Sequence, residues 1–121
     1  MSVVITDILK KSLRDYFDYV VSTRYTLDDE YPEEELSYIK EYLFDNAYNE
    51  CEKNKHNYNK LKKNPNIKSN NAIGSTLKSY LSIILRSNVL TEVTKINRLK
   101  GYREKILKPL RREERLNKLL K

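Results

Sequence analysis

The chain has 121 residues and a formal net charge of +7, with 2 glycines, 3 prolines and 1 cysteine. This length suits one domain over residues 1–121, and so few turn-forming residues argue against a sandwich or barrel of many short strands. A disulfide scaffold is excluded, because a lone cysteine cannot form an internal disulfide. We therefore predict a single all-α domain.

Hydropathy predicts no membrane partner. No apolar run in the sequence reaches the roughly 18 residues that are needed to cross a bilayer. The apolar residues near the N-terminus are interrupted by charges too early for a signal peptide. We expect a soluble, cytoplasmic protein, which would be nucleoid-associated if it binds DNA.

Charge is distributed unevenly along the chain. Residues 28–52 carry a formal net charge of −9, whereas residues 95–121 carry +8. Such asymmetry favours either an anionic partner or self-complementary packing of acidic and basic segments.

The first helix is predicted over residues 5–24, where apolar side chains recur at the spacing that builds one face of a helix. Thr6 or Asp7 lies near its start. The predicted apolar stripe consists of Ile5, Ile8, Leu9, Leu13, Tyr16, Phe17, Val20 and Val21.

The second helix is predicted to begin at Pro32, which three glutamates follow. A helix start does not need the missing proline N–H, and its dipole favours negative charge. Apolar spacing continues to about Lys62 but becomes sparse after Lys53. The helix therefore either runs to about Lys62 or ends after Lys53. Cys51 falls on the apolar stripe and is predicted to line the core. A polar, asparagine-rich loop over 62–74 follows.

A third helix is predicted from Ser75 or Thr76. Its inner face carries apolar residues as far as Ile96. Ser87 and Asn88 indicate either a kink or a break within it.

The C-terminal segment 95–121 is predicted to be mainly helical rather than a disordered tail. Gly101 weakens the helix locally, and Pro109 disfavours helix at the preceding residue and lacks a donor, so a short final helix from Pro109 to Leu120 is expected. The leucines predicted to face the protein are Leu110, Leu116, Leu119 and Leu120.

These elements predict an elongated antiparallel bundle of about four helices. The sequence contains no internal repeat. The side chains predicted to be buried together are Leu9, Leu13, Phe17, Leu43, Ala47, Leu81, Ile84 and Leu85.

Catalytic and cofactor signatures are not found in the sequence, so we predict a protein that is not an enzyme and has no cofactor, metal or small-molecule substrate. His56 is the only histidine and has no partner at metal-ligand spacing, which predicts an exposed surface residue. Gly74 and Gly101 stand too far apart to build a phosphate-binding loop. The acidic cluster around Pro32 is more typical of a solvated helix start than of a divalent-metal site.

The basic C-terminal segment is the strongest functional pattern. Flexible cations beside the aromatic plane of Tyr102 suit contact with a nucleic-acid backbone or an acidic protein, and a solvated lysine-rich face is the alternative. The predicted binding residues are Lys95, Arg98, Lys100, Arg103, Lys105, Lys108, Arg111, Arg112 and Arg115. The predicted acidic partner-binding residues are Asp28, Asp29, Glu33, Glu34 and Glu35.

One stretch of this segment has a family resemblance. Lys105 and Ile106 stand in a basic run, and the acidic pair Glu113 and Glu114 follows, within SYLSIILRSNVLTEVTKINRLKGYREKILKPLRREERLN. This pattern resembles the end of the helical domain in archaeal GINS subunits. The segment DDEYPEEELSYIKEYL is similar, more loosely, to the acidic and aromatic start of a long helix in that family.

The resemblance implies a non-catalytic helical scaffold subunit of a helicase-associated DNA-replication complex. Such a subunit forms homo- or hetero-oligomers and bridges the MCM ring and a RecJ-like partner. The family usually attaches a small β-domain, for which this sequence leaves no room, and Gly101 and Pro109 are awkward inside its long helix. The alternative function is a small basic DNA-binding or host-modulating protein of viral or plasmid origin.

Overall fold

The structure, a computed structural model, describes residues 4–23, 32–62 and 76–120. The regular elements in these ranges are the helices α1 (Asp7–Thr23), α2 (Glu33–Asn54), α3 (Asn57–Lys62), α4 (Leu77–Arg98) and α5 (Lys100–Leu119). The predicted all-α fold is confirmed. The predicted loop 62–74 lies outside the described residues except for Lys62, which ends α3. Among the described helices, none combines the length and apolar character that crossing a bilayer requires.

α1 begins where the sequence predicts it, because Thr6 caps the first turn. The Leu9 N–H donates to Thr6 Oγ1 over 3.1 Å, which satisfies one of the free donors of the helix start. The placement of Ile8 in the apolar stripe is wrong, since this side chain is 82% exposed. At ~100° per residue Ile8 lies roughly 140° around the helix from Leu13, which is fully buried, so it faces away from the core.

The second predicted helix is two helices, since α2 ends at Asn54 and α3 begins at Asn57. The alternative in which the helix ends after Lys53 is therefore the better of the two. The Asn54 side chain donates to the Glu50 carbonyl oxygen over 2.7 Å, the kind of local bond that competes with the backbone ladder. His56 lies in the turn between the helices and is exposed, as predicted.

Thr76 caps the start of α4, and the helix continues through Ser87 and Asn88, where the sequence predicts a kink or a break. The Ser79 N–H donates to Thr76 Oγ1 over 3.1 Å. The helix then continues without interruption past Ser87 and Asn88 to Arg98, so of the two predicted alternatives, a kink or a break, the break is wrong.

A single residue, Leu99, separates α4 from α5. Its backbone is extended, with φ −115° and ψ 97°. The Leu99 N–H donates to the Lys95 carbonyl oxygen over 2.8 Å, and its own carbonyl accepts from the Tyr102 N–H over 3.0 Å. Leu99 therefore ends one helix and begins the next.

The predicted helix boundary at Pro109 is also wrong, because α5 runs through it from Lys100 to Leu119. An internal proline costs a helix about 3 kcal/mol. Here the proline and Lys105, whose carbonyl loses its donor, both lie on the exposed side of α5. On the other side Ile106, Leu107 and Leu110 are buried, and each is worth about 1.5–3 kcal/mol, which offsets the loss.

Contacts between side chains show that α1 and α2 lie antiparallel. Arg14 forms a 2.6 Å ion pair with Glu41, while the earlier Lys10 Nζ lies 4.6 Å from the ring centroid of the later Tyr48. α4 packs against α1 and α2, and α5 packs against α2 and α4. α2 thus contacts both the N-terminal helix and the basic C-terminal helix.

The core lies between these helices. Of the residues predicted to be buried together, Leu9 and Ile84 are only partly buried, and the others are buried. The fully buried side chains with the largest volumes include Phe17, Leu43 and Leu81.

The terminal leucines do not face the protein as predicted. Leu110 is buried, but Leu116, Leu119 and Leu120 are 59, 81 and 84% exposed. Arg111 already meets Glu35 in the first turn of α2. The last two turns of α5 therefore extend past the start of α2, and no described residue of α2 is left to cover them.

Cys51 lines the core, as predicted, and should be chemically inert in the folded protein. Its side chain is fully buried and its Sγ donates to the Leu81 carbonyl oxygen over 3.4 Å. Burial, together with the nearby Glu50 and Glu52 carboxylates, raises the pKa of the thiol to about 12. Since the thiolate is the reactive form, we expect slow alkylation of the native protein from pH 7 to 9 and fast alkylation in denaturant. Rapid native labelling at neutral pH would contradict this burial.

Candidate nucleic-acid interface on helix α5

The structure divides the predicted basic residues into those that pair with carboxylates and those that do not. Three of them contact acidic side chains of the same chain. Lys95 Nζ lies 3.7 Å from Glu92, and Arg103 Nε lies 3.9 Å from Glu104. Arg111 is the third, and its charge is the most completely matched.

Arg111 joins two carboxylates. It donates to Glu104 on its own helix over 3.0 Å and contacts Glu35 of α2 over 2.9 Å. The hydrogen bond from Arg111 holds the pKa of the Glu104 carboxyl below its usual range, and the same bond raises the pKa of Arg111. Both groups therefore stay charged and neutralise each other, which leaves little field for an external anion.

Four further cations of α5 form what we call the α5 stripe, namely Lys105, Lys108, Arg112 and Arg115. All of them are exposed, and none forms an ion pair with the described residues. Their spacing places them within an arc of roughly 80°, at ~100° per residue. This arc lies opposite the buried face of α5.

The length of the α5 stripe suits a run of phosphates. From Lys105 to Arg115 it covers about 15 Å of helix axis at ~1.5 Å per residue. One strand of duplex DNA places a phosphate every ~3.4 Å along its axis, so this length matches about four nucleotides. A shallow recess of about 220 Å³ is lined by Lys108, Arg112 and Arg115 together with the paired Arg111 and Glu104.

Two further predicted residues, Arg98 and Lys100, flank the junction between α4 and α5. Both are exposed. Arg98 ends α4 and Lys100 begins α5, so both precede Lys105 and extend the positive surface beyond it.

The predicted acidic set is also divided. Asp28 and Asp29 lie outside the described residues, and Glu33 and Glu34 are exposed. Glu35 has a side chain only 16% exposed and pairs with Arg111. One acidic residue of this set therefore contacts the basic helix of its own chain, instead of being available to a separate partner.

Sequence reasoning missed a tyrosine cleft beside the α5 stripe. A cavity of about 350 Å³ between α2 and α5 is lined by Tyr38, Tyr42, Tyr102, Lys105, Ile106 and Pro109. Tyr38 and Tyr42 are one helical turn apart on α2, and each directly precedes a buried residue, Ile39 and Leu43 respectively. Their spacing therefore indicated that the two tyrosines lie on one side of α2, next to its buried face. The sequence did not indicate that these tyrosines of α2 lie beside α5.

A polar network fixes one wall of the tyrosine cleft. The Tyr102 hydroxyl donates to the buried Glu92 carboxylate and lies 3.4 Å from the Tyr42 hydroxyl. Lys95 Nζ lies 5.6 Å from the centroid of the Tyr102 ring. Burial raises the pKa of Tyr102, and the hydrogen bond to Glu92 raises it further. This phenol therefore stays neutral and does not repel a phosphate.

Comparisons with protein-family models, with curated proteins and with solved structures find no match for this chain. The resemblance to archaeal GINS subunits therefore remains a prediction. Among the described residues, no group of three or more His, Cys, Asp or Glu side chains is arranged to hold a metal ion.

Proposed function

We propose that this is a non-enzymatic helical protein of the cytoplasm or nucleoid that binds the phosphate backbone of nucleic acid through the α5 stripe. The observation that supports this function is the alignment of Lys105, Lys108, Arg112 and Arg115 on one exposed arc without carboxylate partners among the described residues. Neutralising phosphates with such cations releases counterions, which favours binding.

The geometry favours contact with phosphates over reading of base sequence. α5 is fixed to the core by Ile106, Leu107 and Leu110, so Lys105, Lys108 and Arg112 lie on or next to the part of the helix that packs against the core. Lysine and arginine contacts to phosphates position a protein on nucleic acid but carry little sequence information. Binding is therefore expected to be similar across sequences. A sequence-preferring footprint would favour the alternative of a regulatory DNA-binding protein.

Replacing the whole stripe tests this proposal. The variant Lys105→Gln, Lys108→Gln, Arg112→Gln and Arg115→Gln should bind duplex DNA more weakly, because it loses the cations that meet phosphates. The slope of log affinity against log salt should also fall, by ~0.9 for each lost contact and so by up to about 3.6. Fluorescence anisotropy titrations at several salt concentrations measure both quantities. Arg103 and Arg111 are kept, since they pair with carboxylates.

A matched control removes the same charge elsewhere. Lys11, Lys40, Lys60 and Lys78 lie on other helices and form no ion pair with the described residues, and their replacement by Gln gives the same net charge as the stripe variant. This control should keep nearly the whole salt slope. An equal fall in both variants would mean a diffuse charge effect, and an absence of salt-dependent binding by the wild-type protein would overturn the proposal.

A second candidate function is the scaffold subunit of a DNA-replication complex. It is favoured by the exposed Leu116, Leu119 and Leu120 at the end of α5, because clustered exposed apolar side chains mark protein contacts. Light scattering of mixtures with candidate replication subunits separates the two functions. A strictly monomeric protein that joins none of them would remove the scaffold function and leave phosphate binding in place.

A further inference from the structure

The structure points to a site for an unpaired nucleobase, and we propose that the tyrosine cleft between α2 and α5 accepts one. The protein would then bind single-stranded nucleic acid more tightly than duplex. This inference rests on the proposed phosphate-binding function and deepens it by naming the form of nucleic acid.

The lining of the tyrosine cleft is suited to a flat aromatic ligand. Three tyrosines, Ile106 and Pro109 supply most of its walls, and Lys105 is its only charged residue among those described. Its volume of about 350 Å³ is at the small end of the range for ligand pockets, about 300 to 1,000 Å³. Bases stack on aromatic side chains without sequence preference, because every base has a π-face.

The tyrosine cleft also lies where a bound strand would pass. Lys105 belongs both to the cleft and to the α5 stripe, and Pro109 follows Lys108 directly. A strand whose phosphates lie along the stripe therefore brings its bases to the mouth of the cleft. The bases of a duplex are stacked and paired, whereas those of a single strand can turn outward.

The three tyrosines have different roles in this site. Tyr102 is held by Glu92 and by Lys95 above its ring, and Tyr42 bonds to Tyr102, so both are fixed in place before binding. Tyr38 forms no hydrogen bond with the described residues and is only partly buried. We therefore assign the principal stacking contact to Tyr38.

The test compares three labelled oligonucleotides of equal length with the full chain: a single strand, a duplex, and an abasic strand that keeps the phosphates but lacks bases. Stacking is worth ~1–3 kcal/mol per base, so the intact strand should bind about 5- to 150-fold more tightly than the abasic strand. Tyr38→Leu should remove this difference and leave abasic binding unchanged. Tyr38→Phe, which keeps the ring, should retain the preference.

The matched control is Tyr19→Leu, which removes an exposed tyrosine of α1 and should change nothing. Equal wild-type affinity for intact and abasic strands would overturn the inference while leaving phosphate binding intact. An equal loss on both strands in Tyr38→Leu would also overturn it. If no oligonucleotide binds, the proposed function fails together with the inference.

Discussion

Replacing Leu43 or Leu81 with alanine is expected to lower the free energy of unfolding by about 2 to 5 kcal/mol in each case. Both side chains are fully buried, Leu43 on α2 and Leu81 on α4. Each substitution removes apolar contacts and leaves a cavity that the neighbouring helices fill only partly. Urea denaturation followed by circular dichroism measures the change.

Leu90 provides the control, because it lies on α4 like Leu81 but is 44% exposed. Leu90→Ala should change the free energy of unfolding by less than about 0.5 kcal/mol, as exposed substitutions usually do. A loss below about half a kcal/mol at both Leu43 and Leu81 would mean that the apolar faces of α2 and α4 are misassigned.

Deleting residues 110–121 is expected to destabilise the fold as well as to remove charge. The deletion removes the buried Leu110, and burying a leucine contributes about 1.5–3 kcal/mol. It also removes Arg111 and leaves the mostly buried Glu35 without its cation. Thermal and urea denaturation should both show the loss, and the salt dependence of DNA binding should weaken because Arg112 and Arg115 are gone.

A shorter deletion separates the buried part of this segment from the exposed part. Removing residues 116–121 takes away the exposed Leu116, Leu119 and Leu120 together with Lys118 and Lys121, and it keeps the whole α5 stripe. Stability should change by less than about 0.5 kcal/mol, and the salt slope should be retained. Equal destabilisation by both deletions would show that the terminal leucines do pack against the protein.

The basic face was predictable in composition but not in arrangement. The sequence places eleven lysines and arginines in residues 95–121. It does not show that Arg111 meets Glu35, since this contact joins helices far apart in the chain. The pair Glu92 and Lys95, three residues apart on α4, was by contrast readable from local spacing.

Local signals in the sequence determined the helical class and most helix starts. Thr6 and Thr76 cap α1 and α4, and Pro32 with its following glutamates precedes α2, because a helix end depends on bonds within a few residues of itself. Apolar periodicity likewise placed Leu43 and Leu81 in the core, since it fixes the direction of a side chain around its helix.

Tertiary structure alone decided how far each apolar face is covered and which faces meet. α5 continues through Pro109 because burial on its inner side offsets the lost hydrogen bond, and its last leucines are exposed because α2 begins beside Arg111. The tyrosine cleft exists because Tyr38 and Tyr42 of α2 face Tyr102 of α5. Periodicity gives a direction around one helix, whereas coverage and clefts depend on the length and position of its neighbours.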